Sequence, residues 1–323
     1  MSFNNYSEHI KILEHDLRQA NSLYSKSLID LKLLYYFFQR PIADFFLRRF
    51  LEKKLNHNQV LKEVDKFLFN EGGMFKNYVY KTCDKFYSLK NSIVLVPGAG
   101  YGKNLLQLAV FRPKTIFAFD LYNYDTEWQY VSKLAKKNFG VEIKFFQGDF
   151  DVVPKEFLGS FDFIISDAVL EHVKDLNNFA EFSYKFLKPG GIFYASYGPI
   201  WYGPGGDHIE WGRGKEMYDH LLLKEEEYKK RFSERFAKLA LDNFDSCEGY
   251  WMAKEKLFSY LKAEEYLKIL YAIGFKKLKT YAKISTGAIE TLKKEKDLFK
   301  KLDKINAPLF DRFCSGFYLW MKK

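Results

Sequence analysis

The chain has 323 residues, and 51 Lys and Arg against 41 Asp and Glu leave a formal charge of +10 at pH 7. Hydrophobic residues at 47% and charged residues at 28% exclude a wholly disordered chain. Three cysteines, Cys83, Cys247 and Cys314, are too few and too scattered for a disulfide framework or a zinc site, and they fit a reduced, cytoplasmic setting.

The opening Met1-Ser2-Phe3-Asn4-Asn5 has no basic stretch leading into an apolar run, so no secretory signal is expected. Residues 1–90 read as a helical cap. Leu13, Leu17, Ala20, Leu23 and Tyr24 recur near helical spacing. A denser aromatic run follows from Leu33 to Phe38, then Phe45, Phe46 and Phe50 after Pro41. Arg40, Arg48 and Arg49 sit among these rings and argue for core or cap rather than a membrane anchor.

From residue 91 the texture changes. Short apolar runs at Ile93–Val96, Thr115–Phe119, Ile143–Phe146, Phe161–Ile165 and Ile192–Ser196 alternate with helical patterns. That alternation predicts a doubly wound, mostly parallel α/β sheet. Residues 198–262 interrupt it with a glycine-rich loop and a charged helical stretch, read as a lid insertion after the fifth strand. The longest uncharged stretch, Pro189 to Gly206, is broken by prolines and glycines, which argues against a membrane span. The pattern resumes with a helix over 263–273 ended by Gly274, a strand over 275–284, a helical insertion near 288–304 and a closing strand over 316–321.

The strongest chemical signal is Val94-Leu95-Val96-Pro97-Gly98-Ala99-Gly100-Tyr101-Gly102. A buried strand runs straight into a glycine turn, where a side chain would block a ligand from the backbone. Such turns lie at the carboxyl edge of the sheet, where open α/β folds bind ligands. The glycine spacing departs from the dinucleotide fingerprint and counts against a nicotinamide-dependent dehydrogenase. No Gly-Lys-Ser/Thr follows, so a phosphate-binding P-loop is excluded. Successive strand ends then carry Asp120, Asp149 and Asp167. A carboxylate at the second strand tip can accept both hydroxyls of a ribose.

Together these residues resemble the class I S-adenosylmethionine-dependent methyltransferases. The resemblance rests on the glycine turn, Asp120, Gly148-Asp149, Asp167 with Leu170-Glu171-His172-Val173, and Leu187-Lys188-Pro189-Gly190-Gly191. It covers residues 90–200 well and implies a seven-stranded sheet whose last strand is antiparallel. It implies S-adenosyl-L-methionine as cofactor, with Gly98, Gly100 and Gly102 along its methionine portion and Asp120 on the ribose. Asp149 would bond the adenine amino group with Phe150 packing nearby, and Asp167 would lie near the methionine end or the substrate. Leu187–Gly191 would be a structural turn. Pro97 stands where the family commonly has a small or acidic residue.

Methyl transfer is an in-line displacement from an already activated donor, so alignment and desolvation supply most of the rate. A hydroxyl acceptor also needs a proton removed. His208, in Gly205-Gly206-Asp207-His208 after the fifth strand, is the first choice for that base, with Asp207 or Glu210 orienting it. His172 and Asp167 are the other catalytic candidates. Trp201, Tyr202 and Asp207 are expected to line the acceptor, with Trp211 nearby, and no spacing marks a metal site. The chain lacks the Asn/Asp-Pro-Pro-Tyr/Phe and Pro-Cys signatures of nucleobase methylation. The expected activity is O-methylation of a small polar acceptor: a sugar, a nucleotide-linked sugar or a similar glycan precursor. Two other readings stay open: methylation of RNA, favoured by the positive charge, and a non-catalytic cofactor-binding scaffold.

Overall fold

A computed structural model describes residues 80, 83–102, 104–208, 214–231, 257–305, 307–308 and 310–323. The cap expected over 1–90 lies outside these residues apart from 80 and 83–90, as do Glu210, Trp211 and much of the 198–262 insertion.

Seven strands form one sheet: β1 (Ile93–Pro97), β2 (Thr115–Asp120), β3 (Glu142–Gln147), β4 (Phe161–Asp167), β5 (Leu187–Tyr197), β6 (Lys276–Ile284) and β7 (Cys314–Lys322). Their spatial order is β3-β2-β1-β4-β5-β7-β6. Strands β1 to β5 pair in parallel, and β7 runs antiparallel to both β5 and β6. This is the seven-stranded sheet with an antiparallel last strand that the resemblance implied. The strand order reverses between β1 and β4, so their carboxyl ends open a crevice there. Strand β5 starts at Leu187, opposite Phe161, and the rest of the segment expected as a turn is an irregularity in the pairing before Ile192 meets Phe163, with Gly190 at φ 80°.

Helices cover both faces, which is why the central strands are apolar throughout rather than alternating with polar residues. Successive side chains still point to opposite sides. Val94, Val96, Ile116, Ala118, Ile192 and Tyr194 pack on one face with Leu105, Leu108 and Ala109 of α1 (Leu105–Ala109) and Val131 and Ala135 of α2 (Asp125–Phe139). Leu95, Phe117, Phe119, Ile164, Phe193 and Ala195 pack on the other with Phe179 and Phe182 of α3 (Leu176–Phe186). A short helix α4 (Asp219–Leu222) stands in the insertion. Tyr266 and Leu270 of α5 (Ala263–Ile273) join the second face. The insertion read near 288–304 is a pair of helices, α6 (Thr286–Lys294) and α7 (Lys296–Lys304), whose Leu292 and Leu302 reach the same cluster.

Local signals set the helix ends. The Asp175 carboxylate accepts the Asn178 N–H at 3.0 Å and starts α3. Gly140, at φ 72°, ends α2 in the left-handed conformation. Among the described residues no helix is long and apolar enough to cross a membrane. Phe193 is fully buried at the centre of β5. Phe193→Ala is expected to cost about 3–5 kcal/mol, read as a lower urea midpoint at unchanged slope.

Candidate functional site

The carboxyl ends of β1 to β5 build the site. Strand β1 runs into Gly98–Gly102, with Gly98, Gly100 and Gly102 at φ of 63°, 52° and 94°. The three glycines serve different ends. A Cβ on Gly98 would sit 2.3 Å from Val169 Cγ2, and one on Gly102 would sit 3.0 Å from Val131 Cγ2. Those two let the loop close on the segment after β4 and on α2. A Cβ on Gly100 would meet no described protein atom within 4 Å and would project into open space.

Asp120 fastens this loop. Its Oδ2 accepts the Gly100 N–H at 2.7 Å, and its Oδ1 accepts the Tyr122 N–H at 3.1 Å. Trp128 Nε1–H donates to the Gly100 carbonyl at 2.7 Å from the other side. Burial raises the Asp120 carboxyl above the ordinary range, while the Tyr122, Gly100 and Leu121 N–H groups pull it back. A carboxylate has about four acceptor sites, so these N–H groups do not exhaust it. In Asp120→Asn the amide NH₂ would face one of these N–H groups, at a cost of about 1–3 kcal/mol. The expected outcome is a lower melting temperature together with weaker cofactor binding, checked by a melt and by calorimetry on the same preparation.

Asp149 is exposed, and its Oδ1 accepts the Phe150 N–H at 2.7 Å, capping a short turn of helix over Phe150–Val152. The Phe150 ring packs on Phe182 of α3, 5.1 Å between centroids. Asp167, at the end of β4, accepts the Ser196 hydroxyl of β5 and the Asn104 side-chain amide at 3.4 Å. Asn104 stands immediately before α1, so this carboxylate joins β4, β5 and the end of the glycine loop.

The sequence brought forward His172 and His208 separately, and the fold sets their rings 4.8 Å apart, edge to face. Beside them Glu171 is only 1% exposed. Its Oε1 accepts the Gly198 N–H at 2.9 Å, and its Oε2 has no hydrogen-bond partner among the described residues. His172 Nδ1–H donates to the Leu257 carbonyl at 2.7 Å, and His208 Nε2–H donates to the Pro199 carbonyl at 3.1 Å. His208 sits at φ 62°, a left-handed position uncommon outside glycine. Phe258, 2% exposed, packs on both imidazoles at 5.2 Å from each. Burial lowers the His172 pKa. Burial, with His172 beside it, lowers that of His208 to about 3, so both rings are neutral at pH 7. The same burial raises Glu171 to about 8.

Described residues of the insertion pack beside this cluster. Trp201 is half-buried and packs on Phe258 at 5.1 Å and Tyr260 at 4.6 Å, and its carbonyl accepts from His220 Nε2–H at 2.8 Å. Tyr202, next to it, is half-buried. Asp207 is buried, and its Oδ2 accepts the Tyr228 hydroxyl at 2.8 Å, so its carboxylate fastens the loop to the insertion.

Glu171, Asn104, Ser196 and Phe258 are the site residues that sequence reasoning missed or left without a role. Glu171 lay inside a quoted motif. The other three carry no local signature and become visible only once β4, β5 and the returning chain meet.

The crevice fits an adenosyl cofactor: the Gly100 position opens into free space, and Asp120, with acceptor capacity to spare, stands beside it. A family model described as a methyltransferase domain matches residues 95–195. No curated protein matches the sequence. Among solved structures, an S-adenosylmethionine-dependent methyltransferase from Mesorhizobium loti is similar at 16% identity, TM-score 0.44, over 75% of this chain and 96% of that one. Phosphoethanolamine N-methyltransferase 2 of Haemonchus contortus, bound to S-adenosyl-L-methionine, is similar at 17% identity, TM-score 0.44, over 78% of this chain and 53% of that one.

Proposed function

We propose that this chain, which is a class I S-adenosylmethionine-dependent methyltransferase by its domain at residues 95–195, methylates a hydroxyl of a small polar acceptor such as a sugar or nucleotide-linked sugar. When bound, S-adenosylmethionine supplies a methyl group activated by its sulfonium. The chain's own residues bind, align and manage the proton. The Gly98–Gly102 loop takes the methionine portion, Asp120 the ribose hydroxyls, and Asp149 with Phe150 the adenine edge. Asp167, held by Ser196 and Asn104, sets the methionine end against the acceptor.

The observation that carries the hydroxyl reading is the His172–His208 pair, on the segments that follow β4 and β5. An amine that arrives unprotonated needs no base for transfer, whereas a hydroxyl loses a proton. Two buried neutral imidazoles are groups that can handle that proton. Trp201 and Tyr202 supply aromatic walls of the kind that cover a small polar ring, and Asp207 acts through the loop it fastens.

The test is incubation with methyl-labelled cofactor and a fractionated metabolite pool, with bulk RNA in parallel. Label on the oxygen of a small molecule supports the reading. Label only on RNA, with binding that falls steeply as salt rises, would overturn it.

A further inference from the structure

Glu171, His172 and His208 do not touch in the manner of a simple hydrogen-bonded relay. One ligand atom from each lies within 4.8 Å of the other two. With Glu171 deprotonated, one carboxylate and two imidazoles stand in this cluster, the residue types that donate lone pairs to a cation. The carbonyls of Leu257 and Pro199 fix the tautomers, so the lone pair of His172 is on Nε2 and that of His208 on Nδ1. Glu171 Oε1 is taken by the Gly198 N–H, which leaves Oε2, buried and without a partner among the described residues. A proton shared between two of these groups serves two acceptors at most, and so do the two hydrogens of one water. A cation takes all three.

We propose that Glu171, His172 and His208 bind a first-row divalent transition-metal ion. Two imidazoles and one carboxylate suit zinc, manganese or cobalt better than magnesium or calcium, which favour oxygen alone. The surroundings are those of a metal site. Metal-ligating histidines almost always donate their second ring N–H to a carbonyl or carboxylate, and both imidazoles here do so to main-chain carbonyls. Each of the three side chains is thus oriented by backbone. Phe258 packs against both rings and, with Trp201 behind it, keeps the wall apolar. At bond lengths of about 2.0–2.2 Å, ligand atoms stand roughly 3 Å apart, so binding draws the cluster inward by between one and two ångströms at most.

Three protein ligands leave coordination positions open. This part of the inference rests on the hydroxyl reading above. The acceptor oxygen takes an open position and releases its proton to bulk water, because a bound cation lowers the pKa of an attached hydroxyl. Its lone pair then forms the new C–O bond as the C–S bond breaks, with that electron pair staying on sulfur as a neutral thioether. With the cation bound, the imidazoles manage the acceptor's proton through the metal they hold rather than by taking it themselves.

The experiment titrates cobalt(II) into the full chain after treatment with EDTA and dialysis, following visible absorption and heat. One cobalt per chain is expected, with affinity lost by roughly 100-fold or more in Glu171→Gln and His208→Ala while cofactor affinity stays near that of the parent protein. No uptake by the parent protein, or equal uptake by both variants, would overturn the site. Should either variant fail to bind cofactor, X-ray absorption of the cobalt-loaded parent protein decides instead: two imidazoles are required, and their absence refutes the proposal. The two readings fail separately. If the EDTA-treated enzyme takes up no cobalt yet methylates hydroxyls, the cation site falls and O-methylation stands. If cobalt binds as expected but only nitrogen or sulfur is methylated, the site stands and the hydroxyl reading falls.

Discussion

Gly100→Val is expected to abolish cofactor binding while leaving a folded protein. The reason is the direction of the missing Cβ. At Gly100 it would enter space that holds no described protein atom within 4 Å. Packing therefore tolerates a side chain there, and a ligand in that space does not. Overfilling costs about 1–3 kcal/mol or more, roughly a 10- to 100-fold loss of affinity as a lower bound. The valine also carries about 1–2 kcal/mol of backbone strain at φ 52°, so some fall in melting temperature is expected as well. The comparison that isolates the ligand effect is Gly98→Val. There the Cβ would strike Val169 at 2.3 Å, so stability falls first and binding follows it. Calorimetry with S-adenosylmethionine, paired with a thermal melt, checks both. Gly100→Val that binds cofactor normally would contradict the role given to this loop.

The second large effect is expected at His208. His208→Ala should lower turnover by roughly 10²–10⁴-fold, the range for losing a group that manages a proton in the transition state. Cofactor affinity should change little, because the side chain lies in the loop after β5 and its ring packs on His172 and Phe258. A loss confined to kcat at unchanged cofactor affinity is the signature of an interaction made with the reacting acceptor. Steady-state kinetics with a small hydroxylated acceptor measures it. An equal fall in cofactor affinity and turnover would make His208 a packing residue.

The sheet was legible because its strands are short, apolar and separated by helices, and because glycines mark the turns. Gly274 ended a helix where expected, at φ 113°. The direction of individual side chains was far less legible. Three alternating glycines looked like one device for ligand approach. In the fold, Gly98 and Gly102 make room for Val169 and Val131, and Gly100 alone opens outward. Asp207 stood in a glycine-rich loop beside a histidine, which suggested contact with the acceptor. Its partner is Tyr228, in the charged stretch that follows the loop, and no local pattern announces that bond. Asp149 follows the end of β3, and its carboxylate is engaged in capping the turn that follows.

The cluster at residues 171, 172 and 208 shows the same limit from the other side. Glu171 and His172 are neighbours in the chain and His208 is remote, so spacing alone suggested no constellation. The parallel pairing of β4 with β5 brings their carboxyl ends together, and the Gly198 N–H ties Glu171 to the very loop that carries His208. The segment from Leu257 to Ser259 then closes over them: the Leu257 carbonyl holds His172, Phe258 packs on both rings, and the Ser259 N–H reaches the Glu171 carbonyl at 2.7 Å. Chemistry assembled by three separate chain segments is invisible to a motif.

The most direct measurement is a crystal structure of the complex with S-adenosylhomocysteine. The expected result places the ribose hydroxyls within hydrogen-bond distance of Asp120, the thioether chain along Gly98–Gly102, and the sulfur facing His172 and His208. A nucleoside bound elsewhere, or an Asp120 carboxylate turned away from the sugar, would contradict the account.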